Sequence, residues 1–220
     1  MKDISTINLK NGPCSVNCFL ISVEAGFILI DTGFTKSRAI LEDRLKSAGC
    51  KPGNLRLIIV THGDFDHIGN CRYLRDAFKA PIAMHENDLG MAQRGDMFWN
   101  RKKQNAVMKT IAKMIFKLSP SDQFSPDIIL KEGDNFLTYG LDATVLEIPG
   151  HTSGSIGIRT SKGNLFCGDM FSNLRKPVLN STMDDLQTAK ASLEKLAAFQ
   201  IFTVYPGHGT PFDMDDLQRK

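Results

Sequence analysis

Leu55 to Val60 read LRLIIV, an apolar run broken only by Arg56. Such a run predicts a strand covered on both faces, which demands packing layers above and below it. It ends abruptly in the polar loop THGDFDHIGN, Thr61 to Asn70. Other strands read VNCFLISV (Val16 to Val23) and GFILID (Gly26 to Asp31), a hairpin across Glu24 and Ala25, then PIAMH (Pro81 to His85). Ile40, Leu41, Leu45 and Ala48 lie at helical spacing within Thr35 to Ala48, with Gly49 as the stop, and a second helix is expected over Asn70 to Phe78. A long helical stretch is expected from Asp88 to about Leu118. The second half adds DIIL, ATVLEI, SIGIRT and NLFCGD as strands, a helix over Asp184 to Phe199, and the closing strand FTVYPGHG. Both halves run strands, helix, then strand and polar loop. That order predicts an α/β (α+β) chain with two packed sheets and helices outside.

The 220 residues suit a single domain. Apolar residues at 42% and charged residues at 23% exclude a disordered or fibrous chain. A net charge of +3 is too weak for a nucleic-acid reader. No stretch approaches the ~18 apolar residues of a membrane span, and the start lacks the apolar run of a secretory signal, so the expected location is cytoplasmic. Five cysteines, none in a CxxC pair, predict reduced packed thiols.

Four of the five histidines directly follow expected strands: His62 and His67 after LIIVT, His151 after LEIPG, and His208 after TVYPG. Asp64 and Asp66 lie between the first two, and Asp169 ends NLFCGD. Imidazole nitrogen and carboxylate oxygen are what borderline divalent metals bind. His62 and Asp64 are two apart, so in extended chain they face one way and can chelate one ion. Asp66 and His67 can turn to a second ion, and Asp169 is the remaining candidate for the bridging carboxylate that two close ions require. The fifth histidine, His85, is assigned a structural role.

In order, THGDFDHIGN, PGHTSGSIGI, LFCGDMF and YPGHG resemble the successive metal motifs of the metallo-β-lactamase superfamily. IDTG (Ile30 to Gly33) resembles its early strand-end turn. The resemblance covers Val16 to Gly209 and implies an αββα sandwich of two mixed β-sheets with a two-metal site at one edge. Carried over, the first metal takes His62, Asp64 and His151, and the second takes Asp66, His67 and His208, with Asp169 shared. Asp31 supports the metal loop, and Asp66 and Asp169 take the catalytic assignment. The superfamily's usual HxHxDH has histidine where this chain has Asp64. That carboxylate adds a negative charge and hardens the first site towards iron or manganese relative to zinc. Two divalent ions are expected, zinc foremost, with iron or manganese as alternatives.

The function implied is hydrolysis of a small ester, thioester, lactone or related molecule by a metal-bridging hydroxide. The alternatives are a mononuclear iron oxidoreductase of the same superfamily and a non-catalytic metal-binding sensor. Twelve residues follow His208, which implies a minimal version without the added domains of glyoxalase II, the nuclease branch or the flavoproteins. The segment from about 88 to 120 is read as a helical, lid-like insertion in the single domain. It would place Trp99 and Lys113 at a substrate pocket for a small, anionic molecule. Lys109, Lys113 and Lys117 equally fit a solvated helix face, and the helix equally fits a homodimer interface.

Overall fold

Leu57 and Ile59 point to one side of their strand and Ile58 to the other, and in the computed structural model both sides are filled. The structure describes residues 3–101 and 118–217. Strands β1 (Ile4–Asn11), β2 (Cys14–Val23), β3 (Gly26–Ile30), β4 (Leu55–Ile59), β5 (Ile82–His85) and β6 (Ile128–Leu130) form one sheet in that order. The first three pair antiparallel, and β3 to β6 pair parallel. The second sheet takes β7 (Asn135–Phe136), β8 (Leu141–Glu147), β9 (Ile156–Thr160), β10 (Asn164–Asn173), β12 (Thr203–Gly209) and β13 (Phe212–Asp213). Its order is β13-β12-β10-β9-β8-β7, with β11 (Val178–Leu179) paired to β10. Both sheets are mixed, because β10 and β12 run parallel while the other pairs are antiparallel.

Three apolar layers follow from the two-residue alternation of these strands. Leu29 and Ile58 pack against Leu41 and Leu45 of α1 (Arg38–Ser47) and Leu74 and Phe78 of α3 (Cys71–Phe78). Ile28, Ile30, Leu57 and Ile59 meet Val145, Ile156, Ile158 and Phe166 between the sheets. Leu146, Leu165 and Val204 face Leu196 of α5 (Leu186–Leu196). This is the helix, sheet, sheet, helix order.

Several local expectations change. Strand β1 was not anticipated, because its apolar residues are diluted in ISTINLKN. Ile40 is 52% exposed, so only Leu41 and Leu45 of the expected α1 stripe are inside. The helix expected from Asp88 begins as α4 (Leu89–Arg94) and stops where Gly95 adopts φ 64, a left-handed C-cap. Residues 102–117, with Lys109, Lys113 and Lys117, lie outside the described residues. All five cysteines are free, and all but Cys14 are buried. Among the described residues no helix is long and apolar enough to cross a membrane.

Candidate metal centre

The chemistry-bearing residues gather where strands end, as ligand sites do in sheets with parallel strands. β3 delivers Asp31, β4 delivers Thr61 and His62, and the short α2 (Phe65–Ile68) carries Asp66 and His67. The second sheet brings His151 beyond β8, Asp169 within β10 and His208 within β12. The seven expected residues meet in one cluster. His62, Asp64 and His151 form one group with ligand atoms within 4.8 Å of one another, Asp66, His67 and His208 form a second, and His62, His67 and Asp169 form a third that links them.

Asp169 lies between the groups, its Oδ1 3.3 Å from His67 Nε2 and its Oδ2 3.2 Å from His208 Nε2 and 3.8 Å from His151 Nε2. Close approach here requires glycine at position 207: a Cβ there would lie 2.5 Å from Asp169 Oδ1 and 2.7 Å from His67 Cε1.

Each ring is aimed from behind. His67 Nδ1 donates to Asp31 Oδ2 at 2.8 Å, and His208 Nδ1 donates to the Ser15 carbonyl at 2.5 Å. His151 Nδ1 donates to the Thr182 carbonyl at 3.1 Å. Thr61 Oγ1 donates to Asp31 Oδ2 at 2.8 Å and so accepts from His62 Nδ1 at 3.0 Å. With Nδ1 engaged outward, Nε2 of all four rings faces the cluster, the outer-shell pattern that orients metal-binding imidazoles.

His62 Nε2, His67 Nε2 and Asp169 Oδ1 are buried without a hydrogen-bond partner. His67 and Asp169 are at ion-pair distance but not aligned for a hydrogen bond. Leaving such atoms unpaired costs roughly 1–3 kcal/mol each. A divalent cation satisfies nitrogen and oxygen donors together, so the residues present fit the metal that the donor set implies.

Thr61, Asn180 and Thr182 were not singled out in the sequence. Asn180 Nδ2 donates to Asp169 Oδ2 at 3.3 Å, and Thr182 backs His151. They are isolated polar residues in ordinary loops, without a pattern that marks them.

The cluster floors a cleft of about 440 Å³. Phe65, Met97, Phe98 and Met183 supply apolar wall, and Arg101, Thr182 and Asp184 supply polar wall. Trp99, expected at the pocket, does not line this cleft. Its ring lies 3.9 Å beneath the Arg94 guanidinium and against Gly90, where a Cβ would come within 2.0 Å of the indole nitrogen. The left-handed Gly95 and the turn after it put Met97 and Phe98 at the cleft instead. His85 stands apart, its Nε2 3.2 Å from Glu147 Oε1 and its Nδ1 accepting from Asn87 N.

The model of the metallo-beta-lactamase superfamily matches residues 11–208. The chain belongs to that superfamily. Hydroxyacylglutathione hydrolase GloC of Haemophilus influenzae is 29% identical over 157 residues, covering 70% of this chain and 66% of that protein. Acyl-coenzyme A thioesterase MBLAC2 of Bos taurus is 26% identical over 225 residues, covering 92% and 76%. The crystal structure of TTHA1623 in a di-iron-bound form superposes with a TM-score of 0.74 at 23% identity, covering 97% of each chain. That likeness establishes the αββα fold.

In this metallo-beta-lactamase cluster the charges interlock. Burial alone would raise Asp64, yet Arg101 and His151 outweigh it and hold the carboxyl well below the usual range. Burial opposes ionisation of Asp169 too, and His208 and His67 overcome it. His62 is depressed, first by burial and then by His67 and His151. His67 and His208 are raised against burial, His67 by Asp31, Asp169 and Asp66, and His208 to about 9 chiefly by Asp169. Asp66 is raised by burial and by Asp169 and Asp64.

These directions give a sign for the chelated protein. A histidine whose folded pKa exceeds its unfolded value stabilises the fold below the unfolded value and loses that contribution as pH rises through the folded one. Stability of chelated protein should therefore fall between the ordinary histidine value of 6.5 and about 9, the window set by His208 and supported by His67. His62, depressed in the fold, acts in the opposite sense and only at the lower edge of that window, where the unfolded ring is still partly protonated. Urea midpoints measured at pH 6.5 and 9 with chelator present check this, and a flat or rising profile would contradict it.

Proposed function

We propose that this metallo-hydrolase superfamily member cleaves a small acyl thioester or a related ester or lactone, and that the cluster holds two divalent cations. The single observation that carries the reading is the convergence of four backed Nε2 atoms and three carboxylates beneath a cleft with apolar walls. His62, Asp64 and His151 would hold the first cation and Asp66, His67 and His208 the second, with Asp169 between them. When bound, such cations supply an activated water and an electrophile for the attacked oxygen. The chain's own residues orient the reaction. Asp31 and Thr61 fix two rings, Asn180 fixes the Asp169 carboxylate, and Asp66, which borders the cleft, is placed to accept a proton on its carboxylate.

Phe65, Met97, Phe98 and Met183 suit an acyl group, and Arg101 at the same wall suits an anionic substrate. The thioester choice is supported by two similar proteins, a hydroxyacylglutathione hydrolase and an acyl-coenzyme A thioesterase. Another cavity of about 410 Å³, lined by Phe171, Val178, Leu193 and Met214 among others, has no imidazole or aspartate in its wall and is not the reaction site.

The test is a panel of acyl-coenzyme A and glutathione thioesters, lactones, carboxylic esters and activated phosphodiesters, run after reconstitution with zinc, manganese or iron. We expect thioesters to give the highest kcat/KM. Turnover of phosphodiesters alone, or of nothing, would overturn the reading. The Asp64 carboxylate gives weight to one alternative, a mononuclear iron oxidoreductase, which would show one iron per chain and oxygen consumption.

A further inference from the structure

Where the superfamily's usual motif has a neutral imidazole, this chain has Asp64, and the structure places a specific residue opposite it. Arg101 Nη2 donates to Asp64 Oδ1. Asp64 Oδ2 lies on the other side, 3.0 Å from His151 Nε2 and 3.7 Å from His62 Nε2. The two side chains are each 7% exposed, so the pair is shielded from water. Arg101 is held from behind as well, its Nε donating to the Met97 carbonyl at 3.0 Å. The turn that carries it is closed by Trp99 N donating to the Asp96 carbonyl at 2.9 Å and Phe98 N donating to Asp96 Oδ1 at 3.0 Å. A guanidinium buried this far is costly unless paired, so pair and turn are built together.

We propose that Arg101 is a positioning and charge-compensating residue for the first cation position. It takes Asp64 Oδ1, leaves Oδ2 aimed at the edge shared with His62 and His151, and cancels the extra negative charge. The Asp64–Arg101 pair is then the electrostatic equal of the neutral imidazole it replaces. Asp64 alone would harden the position; the pair keeps it close to a histidine site in net charge. One carboxylate oxygen per partner makes the two roles compatible, and the planar guanidinium, tied through Nε to the Met97 carbonyl and through Nη2 to Asp64, is held in one orientation as an ammonium is not. This rests on reading the cluster as a two-cation site.

The test is a double-mutant cycle on the full chain, read by calorimetric titration of zinc and of manganese into chelated, dialysed protein without substrate. Asp64→His should weaken the first position for zinc by about tenfold or more, because it strands a buried guanidinium beside the cation. Asp64→His combined with Arg101→Met should recover zinc affinity to within about threefold of the parent. Arg101→Met alone should shift the zinc-to-manganese preference towards manganese by about fivefold or more, and Arg101→Lys should fall between it and the parent. If Arg101→Met does not fold, Arg101→Gln carries the same comparison. Retention of both zinc equivalents at parental affinity in Asp64→His, or additive effects in the double variant, would overturn the proposal. A parent that binds no zinc or manganese at all would sink the two-cation reading beneath it. Failure of the thioester panel alone touches neither.

Discussion

Alanine in place of Asp169 should leave a protein that no longer retains two cations through dialysis and whose hydrolysis falls by roughly a thousandfold or more. The reason is position. Asp169 is the carboxylate within 3.8 Å of three imidazoles, using one oxygen towards His67 and the other towards His208 and His151. Its loss removes the shared donor between the two groups and takes from His208 the chief anion that raises it and from His67 one of three. Metal content by mass spectrometry and kcat/KM on the best substrate measure the effect together. His85→Ala is the control, since His85 pairs with Glu147 away from the cluster, and both readouts should stay near the parent. Two retained cations in Asp169→Ala, or a comparable loss in His85→Ala, would mean that the ligands have been misassigned.

The second large effect is on stability. Asp88 is fully buried, and its Oδ2 accepts from Gly63 N at 2.8 Å and Thr152 Oγ1 at 2.7 Å while Oδ1 accepts from Gly154 N at 2.9 Å. It therefore ties the loop carrying His62 and Asp64 to the loop carrying His151. Asp88→Ala strands two backbone N–H groups in a dry interior, although the Thr152 hydroxyl keeps Ser155 Oγ at 2.8 Å, at a cost of roughly 3–5 kcal/mol. For a chain of this size that lowers the thermal midpoint by about 10 °C. Asp88→Asn keeps one acceptor oxygen and should lose about half as much. Calorimetry on the three proteins decides it, and a midpoint within about 2 °C of the parent in Asp88→Ala would show that the loops hold without the tie.

The frame was legible because its signals are local. LRLIIV announces a strand needing cover on both faces, and a histidine following a strand three separate times places several imidazoles at one sheet edge. What stayed hidden depends on contacts distant in sequence. Asp88 counted only as an acid at a helix start, although its partners are residues 63, 152 and 154. Arg101 is one of 27 lysines and arginines in the chain, and nothing in a linear reading sets it against Asp64. Trp99 is the sole tryptophan, and its expected place at the pocket gives way because Gly90 and Arg94, one turn apart on α4, take its ring. The Asp88 to Leu118 helix failed at Gly95, where one backbone angle outweighed a favourable apolar spacing.

The floor of the cleft hangs from both sheets through Asp31, Ser15 and the strand-borne Asp169, whereas most of its wall comes from two short turns at 97–101 and 182–184, with Phe65 of α2 added to it. Reactivity and molecular taste thus overlap at Phe65, Arg101 and Thr182 and reside on separate pieces of chain elsewhere. Exchanging Met97, Phe98 and Met183 while keeping Arg101 and Thr182 is a route to a new clientele that leaves the reactive machinery in register, and descendants of such a protein can diversify by editing a few letters.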